Sequence, residues 1–208
     1  MARWSPIERS LRAEFGPVLA GVDEVGRGPL AGPVVACALV MPHDRRAIAG
    51  VNDSKQLKAN VRDELSVRIR QHATGIGIGA ASVREIDRLN IYHATVLAMQ
   101  RALRQLERRL GETPQHVVVD GKSLRTLGVA HTAVVKGDAK CYAIACASIV
   151  AKVTRDRLMH QLAVRHPSYA WERNAGYGTP IHLEALAVHG LTAHHRRSFC
   201  LDEQPTLF

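Results

Sequence analysis

Five short apolar runs constrain the fold of this 208-residue chain more than any other feature. They lie at residues 18–25, 34–41, 76–81, 116–119 and 131–135. Runs of this length, bounded by glycine, proline or polar residues, read as strands. Between and after them the spacing turns helical. Residues 60–72 repeat through Val61, Leu65 and Ile69. Ser82 caps a short helix, with Glu85 at the capping-box position. A long helix starts at Asn90 and stops at Gly111. Residues 138 to about 164 read as one long helix, rich in alanine and so able to pack closely. Thr179 and Pro180 start a further helix that runs to Gly190. Strands come early as a group and then alternate with helices. The fold class is therefore α/β, one mixed sheet flanked by helices. The length suits one well-cored domain, with a core at about 17–190 and a loosely ordered tail at about 196–208.

The chemistry gathers where the apolar runs end. Asp23 and Glu24 follow Val22, Asp120 follows Val119, and Asp138 follows Val135 by three residues. A desolvated carboxylate is costly unless it is paired or bound to a cation. Strands that each end in an acid can converge their carboxylates at one sheet edge, and divalent cations resolve the repulsion. All-oxygen ligation selects Mg2+ or Mn2+ over zinc. Two such ions can activate water and stabilise the leaving oxygen of a phosphodiester. Neighbouring side chains on a strand point to opposite faces, so Asp23 and Glu24 share a site only if the strand bends or ends there. The adjacent Gly26-Arg27-Gly28 supplies that freedom and lets backbone approach a ligand, with Arg27 as a donor.

The formal charge of +9 favours a polyanionic partner. No apolar run is long enough to span a bilayer, so that partner reads as nucleic acid rather than a membrane. Ser148, Lys152 and Arg155 share one face of the long helix and are expected to track phosphates. Lys55, in Asp53-Ser54-Lys55, joins the substrate contacts. Aromatics are 4% of residues, which argues against stacking platforms for single strands. Tyr177, between two glycines, can still stack on a sugar or base. His182, His189, His194 and His195 read as surface or phosphate-contacting rather than zinc ligands. The cysteines lack a CxxC pair and read as reduced thiols of a cytoplasmic protein. The first fifteen residues lack the apolar core of a secretory signal.

GVDEVGRGPLAGPVV, NDSKQL, VVVDGK, VVKGDAK, ASIVAKVTRDR and GYGTPIH, in this order from about residue 19 to 199, resemble the motif set of bacterial ribonuclease HII. The resemblance implies a ribonuclease H-like fold with a helical C-terminal portion. It implies hydrolysis on the 5′ side of a ribonucleotide, in RNA–DNA hybrids and at single ribonucleotides in duplex DNA. It places the metal-binding acids on Asp23, Glu24, Asp120 and Asp138, with Asp156 as a rival for the fourth. It places ribose recognition on Gly26, Arg27 and Gly28, and junction sensing on Tyr177. The basic residue that often precedes GYGT is missing, because the stretch here is Arg173-Asn174-Ala175-Gly176. The chain is expected to act as a monomer. Its end, Gln204-Pro205-Thr206-Leu207-Phe208, resembles the pentapeptide that binds the bacterial replication sliding clamp. Two rival readings remain: an integrase- or resolvase-like nuclease that needs no ribose sensor, and a non-catalytic nucleic-acid-binding module that needs no complete acid set.

Overall fold

The apolar runs become five strands of one sheet in the computed structural model, which describes residues 4–200. They are β1 (Leu19–Val25), β2 (Val34–Val40), β3 (Gly75–Ala81), β4 (His116–Asp120) and β5 (His131–Val134). Their order is β3-β2-β1-β4-β5. β1, β2 and β3 pair antiparallel, whereas β1, β4 and β5 pair parallel. Eight helices are described: α1 (Pro6–Phe15), α2 (Ala59–His72), α3 (Val83–Leu110), α4 (Gly137–Lys140), α5 (Tyr142–Arg165), α6 (Trp171–Asn174), α7 (Pro180–His189) and α8 (Arg197–Cys200). Among the described residues, no helix is long and apolar enough to cross a membrane.

Both faces of the central strands β1, β2 and β4 are covered, which is why these three read as nearly unbroken apolar runs. Ala20, Val22, Ala36 and Ala38 pack with Ala94, Ala98, Met99 and Ala102 of α3. Cys37 and Leu39 pack on the other face with Ala145, Cys146 and Ile149 of α5. Small residues bring these helices close. A Cβ on Gly21 would stand 2.4 Å from the backbone of Ala143, so α5 begins directly on β1.

The joint expected at Asn90 is present. Ser82 and Glu85 form the capping box, and the helix kinks at Asn90, whose φ is +67°. The Asn90 Oδ1 then caps the second part by accepting from the His93 N–H at 3.1 Å. The single helix expected from residue 138 is instead two, because Cys141 is extended between α4 and α5. The cause lies in α1, which the sequence reading passed over despite its own capping box of Ser5 and Glu8. Glu8 is fully buried, and its carboxylate accepts from the N–H groups of Tyr142 at 3.1 Å and Ala143 at 2.9 Å. An acid on the first turn of α5 satisfies orphan donors and complements the helix dipole. Glu8→Ala is expected to cost about 2–4 kcal/mol in urea unfolding, since buried donors lose a charged acceptor. A cost below about 1 kcal/mol would show that this cap contributes little.

The tail does not begin at residue 196. Arg196 is fully buried and α8 follows it. Residues 201–208, with the expected clamp-binding end, lie outside the described residues.

Candidate active site

The sheet divides at Val22. Pairing of β1 with β4 ends at Val22 and Val119. Pairing of β1 with β2 continues through Val25 and Val35. Beyond Val22 one edge of β1 is therefore released, and the acids stand around the opening. β1 does not bend there: Asp23 and Glu24 stay in regular register with Cys37 and Ala36. The two carboxylates thus occupy opposite faces of one strand, and of the two routes expected, a bend or an end of the strand, it is the end of the β4 pairing that is present. Asp23 faces α5, where the Ser148 hydroxyl offsets part of the rise in its pKa that burial causes. Glu24 faces a cleft of about 440 Å³ shared with Arg27, Tyr92, Thr95, Asp120 and Lys122.

Asp120 ends β4, and its Oδ1 accepts the Gly137 N–H at 2.6 Å. Asp138 does not end a strand as expected. β5 stops at Val134, and Asp138 lies in the first turn of α4, after Lys136 in the left-handed region. Electrostatics join the four acids. Burial, then Glu24, pushes Asp23 well above the usual carboxylate range, and Asp120 adds to the rise. Burial raises Glu24 and Asp120 raises it further, opposed by Arg27. Burial, then Asp120 and Asp53, raises Asp138. Among the described residues, no three histidine, cysteine or carboxylate side chains stand close enough to grip one ion as they are placed. Their chemistry nevertheless fits a hard divalent cation: oxygen donors only, desolvated, and mutually repelling.

Asp53-Ser54-Lys55 reaches this cluster. The Ser54 and Ser148 hydroxyls are 2.8 Å apart, so Ser54 backs the hydroxyl that lowers the Asp23 pKa. Lys55 Nζ lies 3.9 Å from Asp138 Oδ2 with its side chain mostly exposed. The helix face expected to track phosphates splits three ways. Ser148 is buried against Asp23. Lys152 pairs with Asp156 at 2.8 Å. Arg155 is 0% exposed and cannot meet a phosphate. Asp156, taken up by Lys152 and Arg62, is not among the groups that perturb the other acids.

Arg155 instead holds the loop that carries Gly-Arg-Gly. Its guanidinium donates to the carbonyls of Pro33 at 3.0 Å, Ala31 at 3.0 Å and Ala175 at 2.9 Å. Arg196, also 0% exposed, donates to Gly32 at 2.8 Å, Arg27 at 2.8 Å and Gly26. Gly26 has φ +89°, and a Cβ there would stand 2.2 Å from Arg155 Nε, so only glycine fits. Arg196 was missed because a lone arginine near a chain end carries no local pattern. Tyr177 meets the same loop. The Leu30 N–H donates to Gly176 O at 2.8 Å, and a Cβ on Gly28 would lie 3.6 Å from the Tyr177 ring. Arg27 joins the loop to the acids through Glu24, at 3.2 Å. At the position of the missing basic residue, Ala175 gives its carbonyl to Arg155, while Arg173 is exposed beside Glu172. His182 and His195 are buried rather than on the surface.

Residues 20–202 match the family model described as Ribonuclease HII. The chain belongs to the ribonuclease HII family. Among its relatives, the ribonuclease HII of Magnetococcus marinus is 54% identical over 182 residues, covering 87% of this chain and 84% of the relative. That of Thermosynechococcus vestitus is 53% identical over 183 residues, covering 87% and 83%. The crystal structure of the ribonuclease H2 from Pyrococcus horikoshii has the same fold, with a TM-score of 0.73 at 27% identity over 86% of this chain and 92% of that one. The ribonuclease HII in a PCNA:RNase HII complex from Archaeoglobus fulgidus is similar at a TM-score of 0.69 and 25% identity, covering 91% of this chain and 98% of that one. This ribonuclease HII-family chain is thus an enzyme of the ribonuclease H class, built on the mixed sheet and flanking helices of that class.

Proposed function

We propose that the chain hydrolyses RNA strands in RNA–DNA hybrids and cuts 5′ to ribonucleotides embedded in duplex DNA, as one ribonuclease H-like domain acting as a monomer. One observation carries this reading: the acids lie next to the loop that can sense a ribose, joined to it by the ion pair of Glu24 and Arg27. Asp23, Glu24, Asp120 and Asp138 would hold two divalent cations. Bound Mg2+ or Mn2+ would activate water and offset charge at the scissile phosphodiester. Ser148, backed by Ser54, orients the Asp23 carboxylate. The Gly137 N–H orients Asp120. Lys55 is free to leave Asp138 for a substrate phosphate, since its side chain is exposed. The 2′-hydroxyl separates RNA from DNA at the junction sugar. The loop at Gly26, Arg27 and Gly28 would bond that hydroxyl, with the half-exposed Tyr177 ring against the sugar.

The test is a DNA duplex carrying one ribonucleotide, incubated with protein and Mg2+ or Mn2+, with the cut mapped. Cleavage 5′ to the ribonucleotide and silence in EDTA are expected. Cleavage of an all-DNA duplex would favour an integrase- or resolvase-like nuclease. Arg27→Ala and Tyr177→Ala are each expected to lower kcat/KM on the single-ribonucleotide duplex by about tenfold or more, because polar groups built to bond a hydroxyl discriminate strongly. Unchanged rates in both variants would move ribose sensing elsewhere.

Cys37, Cys141 and Cys146 are buried thiols, which supports a cytoplasmic location. The last five residues are read as a ligand of the replication sliding clamp. The support is their resemblance to the clamp-binding pentapeptide and the structural likeness to a protein described in complex with PCNA. Deleting residues 204–208 is expected to abolish capture by the clamp without changing the melting temperature or cleavage of a short duplex. A deletion that mainly lowers the melting temperature would make the segment structural instead.

A further inference from the structure

His182 and His195 are fully buried behind Tyr177, in a nest with Tyr169 and Trp171. Their partners assign every proton. His182 Nδ1 is 2.8 Å from the Tyr177 carbonyl, which only accepts, so Nδ1 carries hydrogen. The Thr192 N–H lies 2.9 Å from His195 Nδ1 and only donates, so the hydrogen of neutral His195 is on Nε2. His182 Nε2 then accepts from His195 Nε2 at 3.0 Å and from Trp171 Nε1 at 3.1 Å. Neutral rings satisfy all four nitrogens. A proton added to either ring would oppose a fixed donor. Burial, then His182, His166 and His194, keeps His195 neutral by lowering it to about 4, and burial lowers His182.

This chain of donors ends on the backbone of the residue that most needs fixing. Tyr177 is 48% exposed and lies between Gly176, at φ +86°, and Gly178. Its carbonyl otherwise accepts from the Thr179 N–H at 2.8 Å, a bond within the same short turn. We propose that His182, held in one tautomer by His195 and Trp171, is a positioning residue that fixes the Tyr177 ring against Gly28 for ribose sensing. The proposal rests on the reading of Tyr177 as the junction sensor.

The test compares H182N with H182Q. An asparagine amide falls near the imidazole Nδ1 position and keeps a donor for the Tyr177 carbonyl. A glutamine amide falls near Nε2 and does not. Both variants disturb the nest, so a purely structural role predicts similar losses. H182Q is expected to lower kcat on a single-ribonucleotide duplex by about tenfold to a hundredfold with KM little changed, as misplaced groups do. H182N is expected to stay within about threefold of wild type, and Y177A/H182Q to be no slower than Y177A, because the two residues act as one unit. Equal losses in H182N and H182Q, or independent losses in the double variant, would overturn the positioning role. Impaired Y177A beside unimpaired H182Q would overturn it while leaving the ribose reading intact. Unimpaired Y177A would overturn both. Should H182Q fail to fold, H195Q, which keeps the donor toward His182, is compared with H195N, and H195N is then the variant expected to be impaired.

Discussion

Asp120→Asn is expected to lower cleavage of a ribonucleotide-containing duplex by about a thousandfold or more, because charge stabilisation at the reacting phosphate depends on the cations it would hold. The substitution is nearly isosteric. The asparagine Oδ1 can still accept the Gly137 N–H, so the link between β4 and α4 survives. What is lost is one negative charge among four carboxylates. Asp120 raises Asp23, Glu24 and Asp138 alike, so its neutralisation relieves repulsion in the protein without cations. Stability and duplex binding should therefore be retained or slightly improved, while Mn2+ binding measured by calorimetry weakens. Cleavage within about tenfold of wild type, with the fold intact, would falsify the assignment of Asp120 to the metal-binding set.

Arg155→Met should destabilise the protein by about 2–4 kcal/mol, because buried carbonyls left without a donor cost about 1–3 kcal/mol. Methionine fills part of the volume but leaves the carbonyls of Ala31, Pro33 and Ala175 without this donor in the interior. Lysine should not rescue it, because one ammonium cannot reproduce a planar fork toward three acceptors. The guanidinium is itself desolvated, and burial lowers its pKa. Denaturant unfolding gives the stability, and cleavage of the single-ribonucleotide duplex should fall with it because the loop at 26–33 loses an anchor. A loss below about 1 kcal/mol would mean that Arg196 holds the loop alone.

Strands were legible to within a residue or two, because covering both faces of β1, β2 and β4 forces a nearly continuous apolar run and glycine, proline or polar residues bound the others. The Asn90 joint was legible because its capping chemistry is local. The acids were legible as an exception, charged groups where burial was otherwise expected. Arg155 was misread for the complementary reason. α5 is buried around most of its circumference, so spacing along it does not distinguish a solvent face from a core face. Asp138 was misplaced because a left-handed residue at Lys136 turns the chain after β5 before the acid arrives. Ser54 and Arg196 act across long separations, through Ser148 and through the carbonyls at 26–32, and no local window contains such pairs.

The two-arginine clamp also orders events during synthesis. All four acids have been made by residue 138, and every strand of the sheet by residue 134. The anchors of the Gly-Arg-Gly loop arrive later, Arg155 first, then Gly176 and Tyr177, and Arg196 last. A nascent chain folding from its N-terminus therefore gathers its acids before it can fix the loop beside them. On the function proposed above, selectivity for the sugar would therefore be completed after the acids are gathered, once Arg196 anchors the loop.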